Sequence, residues 1–271
     1  MRKISSPILL LVFFVAFSAC KQNSGESNSQ ASDDQLSKEE IAKRAEEAAF
    51  PLPNPLNTYK MLQDIGATYN HDILNPISAV ENYYNSNLRA VNIGTYAADL
   101  SYSLVFDNSA DFDLYSKTLK KMVSDLNINI DYEKLVLLNN KTDKELSDSA
   151  VQIATQFFYD VYEFLYLESD PSLAALMVTG FYVEGLYIAT HISDETFNNI
   201  EIVKIIYNQK DALADLLELN EKFAENGYLK TVNDSLKKLK AIYDSTDGSL
   251  NKEQLDSLTS IIAAIRETLV S

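Results

Sequence analysis

Beyond Leu56, apolar residues recur at three- and four-residue steps along most of the chain, the spacing of an amphipathic helix. The pattern predicts helices over 56–65, 77–85, 87–106, 111–127, 131–139, 143–168, 172–192, 195–218, 220–245 and 251–270. The last is the sharpest case. Leu255, Leu258, Ile261, Ile262, Ile265 and Leu269 make one stripe, and Asn251 with Gln254 forms a capping box at its start. Segment 150–168 is apolar nearly all round, through Phe157-Phe158-Tyr159 and Phe164-Leu165-Tyr166-Leu167. That predicts a central helix enclosed by others, with a short buried strand over 157–167 as the rival assignment.

A weak internal repeat crosses this pattern. Gly94-Thr95-Tyr96 followed by Leu100 aligns with Gly180-Phe181-Tyr182 followed by Leu186, at an offset of 86 residues. Both helices run into polar connectors, Asp107-Asn108-Ser109 and Ser193-Asp194. Both next segments begin with acid, Asp111 and Glu195, which suits the positive end of a helix dipole. The expected fold class is all-α, an irregular multi-helix bundle. Two pseudo-repeated halves are the finer expectation if the offset reflects duplication. With 7 Gly and 6 Pro in 271 residues, the chain lacks the turn chemistry of a β-sandwich or barrel.

The first twenty residues read as an address and not as fold. Arg2 and Lys3 precede an uncharged apolar run from Ile8 to Phe17, too short to span roughly 30 Å of hydrocarbon as a helix. Phe17-Ser18-Ala19-Cys20 follows and resembles a bacterial lipobox. The resemblance implies cleavage before Cys20, the only cysteine in the chain, and a diacylglycerol on its sulfur. Multiple acyl chains anchor stably where one does not. An ordinary secretory signal with a chance cysteine is the bland alternative. Lys21 is not the Asp associated with inner-membrane retention, so outer-membrane placement is expected.

Charge then narrows the partners. The formal net charge is −16, and losing Arg2 and Lys3 with residues 1–19 leaves −18. A surface so acidic excludes nucleic acid as a partner. It is also repelled by anionic headgroups, so the membrane is met through the lipid on Cys20 alone. Residues 20–36 are polar, lack aromatics, and read as a lipidated tether. Residues 37–55 read as a short helix opened by Ser37 and Glu40, then a stiff Pro51-Leu52-Pro53-Asn54-Pro55 spacer. Residues 56–271 form the helical domain.

Tyr69-Asn70, Leu74-Asn75-Pro76 and the run Asn92-Ile93-Gly94-Thr95-Tyr96-Ala97-Ala98-Asp99-Leu100-Ser101-Tyr102 resemble a group of uncharacterised all-helical lipoproteins of Bacteroidota. The resemblance covers roughly residues 60–125. It implies location and fold, and no activity.

Candidate chemistry is thin. His71 and His191 are the only histidines, and neither is preceded at three residues by Glu, so the Glu-x-x-His dimetal pattern is absent. There is no His-Glu-x-x-His, no phosphate-binding Gly-x-x-x-x-Gly-Lys loop and no Gly-x-Ser-x-Gly. Asp247-Gly248 fails as a calcium loop, because Tyr243 would stand first and Gln254 last. No motif calls for a cofactor. Four Asp-Ser triplets resemble a short O-glycosylation sequon used by some Bacteroidota, and only Ser245 lies in a loop-like stretch.

Glu184 is the most unusual carboxylate. On a helix its neighbours are Met177, Gly180, Phe181, Tyr187, Ile188 and His191, a largely apolar stripe. Burial penalises a charge there unless a Tyr hydroxyl or His holds it. Asp99 shares a stripe with Asn92, Thr95, Ser103 and Asp107, which reads as a solvated face. Under the repeat, Asp99 and Glu184 fall one position apart, and two facing carboxylates can do acid/base work. Gly94, Ala97, Ala98 and Ser101, like Gly180, Gly185 and Ala189, make small-residue stripes suited to close helix approach or to a ligand groove. Tyr96, Tyr182 and Tyr187 with Glu184, Asp99 and His191 are the candidate ligand-binding set for an unidentified small molecule. Three functional expectations result: an envelope lipoprotein that binds a protein partner or scaffolds an assembly without catalysis, a small-molecule binder with a Tyr-lined pocket near Glu184, and a hydrolase of unfamiliar type.

Overall fold

The computed structural model describes residues 55–130, 132, 145–193 and 195–271. The signal sequence, Cys20, the tether, the first short helix, the start of the Pro-rich spacer and the helix expected over 131–139 lie outside the described residues. Within them the fold is all-α, with no strand. The helices are α1 (Pro55–Asp64), α2 (Ser86–Val105), α3 (Ser109–Asp125), α4 (Glu145–Glu168), α5 (Pro171–His191), α6 (Ile200–Tyr207), α7 (Lys210–Glu221), α8 (Gly227–Asp244) and α9 (Lys252–Val270).

Asparagine opens most of them. Asn85, Asn108, Asn199, Asn226 and Asn251 stand at the N-caps of α2, α3, α6, α8 and α9, and Asp170 caps α5. Each side chain accepts a first-turn backbone N–H, a contact worth about 1 kcal/mol. Asn251 and Gln254 complete the expected capping box. Asp107 turns the chain left-handed after α2 with φ of 56°, and the Asn108 N–H closes onto the Ser103 carbonyl at 2.9 Å.

Three helix assignments are corrected. Residues 195–218 do not form one helix: a 3-10 turn at Thr196–Asn198, then α6, then α7 replace it. Asn199 restarts the chain, accepting the N–H groups of Glu201 and Ile202. The α6–α7 break is held by Tyr243, which donates to the Ile206 carbonyl, and Tyr182, which donates to that of Gln209. The helix expected over 220–245 starts only at Gly227, behind the Asn226 cap. Residues 77–85 form a 3-10 segment, Ile77–Asn82.

The central helix is α5, not α4. It packs against α1, α2, α4, α6, α7, α8 and α9, and nearly every residue from Ser172 to Thr190 is buried. Its length and apolarity would also let it cross a membrane, but here other helices surround it. By contrast α4 buries one stripe, Ala150, Ala154, Phe157, Val161 and Leu165. Phe158, Phe164 and Tyr166 are only half-buried. The strand expected as a rival over 157–167 is helix.

The α2–α5 contact sets the architecture. A methyl added to Gly94 would sit 1.8 Å from the Met177 carbonyl oxygen, and one added to Gly180 would sit 1.8 Å from that of Val91. The two backbones therefore touch directly. The contact is reciprocal at the 86-residue offset, since Val91 corresponds to Met177 and Gly94 to Gly180. The correspondence stops at this helix pair. A 17-residue helix follows α2, whereas a 3-10 turn and an eight-residue helix follow α5. An irregular connection precedes α2, whereas the 24-residue α4 precedes α5.

A Gly94→Ala or Gly180→Ala variant therefore loses at least about 3 kcal/mol, the upper end of ordinary overpacking, measured by urea unfolding. Gly227→Ala, where the added methyl meets nothing within 4 Å, is neutral or gains about 0.5 kcal/mol.

Candidate functional site

The connection from α1 to α2 is short of regular structure yet partly buried, with Ile73, Leu74, Asn75 and Tyr83 inside. Buried irregular backbone needs hydrogen-bond partners that a helix would supply itself. Tyrosines supply them here. Tyr96 donates to the Pro76 carbonyl at 2.7 Å, Tyr115 donates to that of Asn75 at 2.8 Å, and Tyr102 accepts the Asn70 N–H at 2.9 Å. The Asn75 side-chain amide donates to the Tyr83 hydroxyl at 3.1 Å.

This pinned connection meets α2, α5 and α9 at a cluster of charge. The Arg266 guanidinium forks onto Glu184, with Nε to Oε2 at 2.6 Å and Nη2 to Oε1 at 2.8 Å. Nη2 also donates to the Ile73 carbonyl at 3.2 Å. The Glu184 side chain is 0% exposed and that of Arg266 12%. A bidentate pair of this kind is the strong form of a charge-assisted hydrogen bond. Burial alone would lower the pKa of Arg266, but Glu184 and then Asp99 raise it overall. The guanidinium lies over the Tyr187 ring at 4.1 Å, and Tyr187 stacks on His191 at 4.0 Å.

Asp99 completes the cluster. Its side chain is fully buried, and the Asn75 N–H donates to its Oδ2 at 3.2 Å. Burial, then the neighbouring charge of Glu184, pushes its carboxyl well above the usual range, against the pull of Arg266 and of the Asn75 N–H. The end of α9 is tied down beside it. Asn92 donates to the Leu269 carbonyl at 2.7 Å, and Tyr83 to that of Val270 at 3.4 Å. These are carbonyls that a helix end leaves without intrahelical partners.

Two expectations are corrected here. The Asp99 stripe is not solvated along its length: Asn92, Thr95, Asp99 and Ser103 are all buried, and only Asp107, past the end of α2, is exposed. The stripe tolerates burial because Thr95 and Ser103 donate to the carbonyls four residues back, while α9 and the Asn75 connection take up Asn92 and Asp99. The partner of Glu184 is neither Tyr nor His but Arg266, from the far end of the chain.

The remaining candidates separate. Glu184, Asp99, Tyr187 and His191 come together around Arg266. The hydroxyls of Tyr96 and Tyr182 are each taken by a backbone carbonyl, of Pro76 and Gln209. His191 ends α5, with Nδ1 at 2.9 Å from both the Tyr187 carbonyl and the Thr190 hydroxyl. Burial, and secondarily Arg266, lowers its pKa against the Tyr187 contact. Ser245 follows α8 and donates to the Ile242 carbonyl at 2.7 Å.

Sequence reasoning missed Arg266 and Asn75. Arg266 carried a signal: it is the only basic residue after Lys252 and sits between Ile262 and Leu269 on the apolar stripe. A second polar group was also missed. Asp111 Oδ2 receives the Tyr69 hydroxyl at 2.6 Å and faces His71 Nδ1 at 2.8 Å, with the His71 side chain 62% exposed. No group of three His, Cys, Asp or Glu suited to a metal ion occurs among the described residues. No protein family, curated protein or solved structure matches this chain.

Two adjacent carboxyl groups in unlike environments are the ingredients of acid/base chemistry. Here both are fully buried, and Arg266 is forked onto the Glu184 oxygens. The arrangement ties α2, α5, α9 and the α1–α2 connection together. Arg266→Met leaves Glu184 buried and unpaired, and is expected to lose about 3–5 kcal/mol in urea unfolding. The double variant Glu184→Gln/Arg266→Met loses less than Arg266→Met alone. Equal losses in the two would contradict the pairing.

Proposed function

We propose that this chain is a cell-envelope lipoprotein, held in the outer membrane by lipid on Cys20, whose helical body binds a protein partner or scaffolds an assembly without catalysis. One observation supports the non-catalytic part. Among the described residues, the buried cluster of ionisable side chains, Asp99 with Glu184 and Arg266, is closed inside the fold and engaged with itself. What the body offers outward is acidic surface and a few large apolar side chains, among them Tyr84 at 80% and Ile200 at 76% exposure. Exposed aromatic and aliphatic anchors of this type are what a protein interface uses. The lipobox-like Phe17-Ser18-Ala19-Cys20 supports the anchor, and the tether after it gives the body reach.

The anchor is tested by growing cells with an alkyne-tagged palmitate. Wild type becomes labelled and partitions into detergent, and Cys20→Ala takes up no label. Label retained in Cys20→Ala, or a wild type released as soluble protein, contradicts the anchor. Partner binding is tested by placing a photocrosslinking residue at Tyr84 or Ile200 in intact envelopes. A discrete protein adduct is expected, and no adduct at either position speaks against the reading.

A further inference from the structure

Counting charge exposes an imbalance in the buried cluster. Two carboxylates and one guanidinium sum to one net negative charge. A buried unbalanced charge is severely penalised, and the usual escape is to bind a proton. The hydrogen bonds show where that proton sits. Arg266 directs both of its fork contacts to Glu184 and none to Asp99. Asp99 accepts a single N–H, from Asn75, at 3.2 Å on Oδ2, which is long for a bond to an ionised carboxylate. Its Oδ1 is fully buried and receives no donor. As a carboxylate Asp99 would keep an unsatisfied oxygen. As a carboxylic acid that same oxygen becomes a donor, and the Glu184 carboxylate is the neighbouring charge that most opposes ionisation of Asp99.

We propose that Asp99 is a buried proton-binding site: a neutral acid whose Oδ1–H donates to Glu184, balancing the cluster so that α9 can close over α2 and α5. Glu184 then takes two donors from Arg266 and one from Asp99, and Asn75 holds the other Asp99 oxygen. Among the groups that act on Asp99, only Glu184 could take the proton instead, and Arg266 already engages both of its oxygens. Those groups are Tyr59 from α1, Tyr83 from the connection, Tyr96 on α2 itself, Tyr115 from α3, Glu184 from α5 and Arg266 from α9. The four phenols are all pushed upward by burial and by the carboxylates, so they already carry their protons. Docking of the terminal helix is thereby linked to pH.

The sign of that linkage is distinctive. An acid held neutral in the fold keeps a proton that the unfolded chain releases above about pH 4. Its contribution is fully present below that pH and is lost as pH rises towards the folded value. Asp99→Asn keeps the shape and the donor and cannot titrate. The test is thermal unfolding of wild type and Asp99→Asn from pH 5 to pH 9. Asp99→Asn is expected to fold and to melt above wild type at pH 8, with the gap narrowing as pH falls. In the infrared, wild type at neutral pH shows the carbonyl stretch of a protonated carboxyl, and Asp99→Asn lacks it. The proposal is overturned if Asp99→Asn fails to fold, or if it melts below wild type at pH 8 with the gap shrinking in acid. It is equally overturned if wild type, and not Asp99→Asn, is stabilised when sodium replaces choline at constant ionic strength. That outcome would mean that a metal cation, not a proton, balances the charge.

Discussion

The Glu184–Arg266 pair is the contact on which the rest of the structure depends. It joins the central helix α5 to the last helix α9 across 82 residues of sequence. Through Nη2 of the same arginine it also reaches the α1–α2 connection at Ile73. A pair this buried stabilises little in net terms, because desolvating both ions offsets most of their attraction. Its importance is conditional. Once Glu184 lies in an apolar helix at the centre of the bundle, the fold is viable only with a cation beside it. That fixes where α9 must lie, and the Leu269 and Val270 carbonyls, capped by Asn92 and Tyr83, hold it there.

The tyrosines belong to the same logic. The chain has 16 of them and no Trp, and an aromatic-rich helical protein invites the idea of a ligand pocket. Tyr96, Tyr102 and Tyr115 instead serve the irregular backbone between α1 and α2, Tyr83 serves the end of α9, and Tyr182 and Tyr243 serve the break between α6 and α7. Each brings a ring that fills core and a hydroxyl that reaches one polar backbone group. Helices satisfy their own backbone, so the hydroxyls gather where helices stop. The sequence motifs around Tyr69, Asn75, Pro76, Asn92, Tyr96, Asp99 and Tyr102 stand out in the chain. All of these lie in or around the pinned connection.

What was legible in the sequence follows from the range of the interactions. Helices α2, α3, α5 and α9 could be read from periodicity and caps, because those signals sit within a few residues. That Gly94 and Gly180 each admit a close helix neighbour could be read, because glycine inside an apolar helix has few other uses, but not that their two helices meet each other there. The 195–218 break was harder, since apolar periodicity continues across Asn199 and Gln209 while the Tyr182 and Tyr243 hydroxyls that hold the second break lie elsewhere in the chain. The Asp99 stripe was misread because a polar helix face looks the same whether water or another polar segment covers it. The cover is Asn75 and α9, and no local pattern announces that pairing. Arg266 was the visible clue, a lone base on an apolar stripe, matching a lone acid on the apolar stripe of α5.

The central physical claim is that the buried cluster locks α9 and the α1–α2 connection onto α2 and α5 as one unit. Amide hydrogen exchange on wild type and Arg266→Met tests it most directly. The account predicts that protection is lost together over residues 252–270 and 68–76, while 227–244 keeps most of its own. Loss spread evenly over every helix, or confined to the last turn of α9, would contradict it.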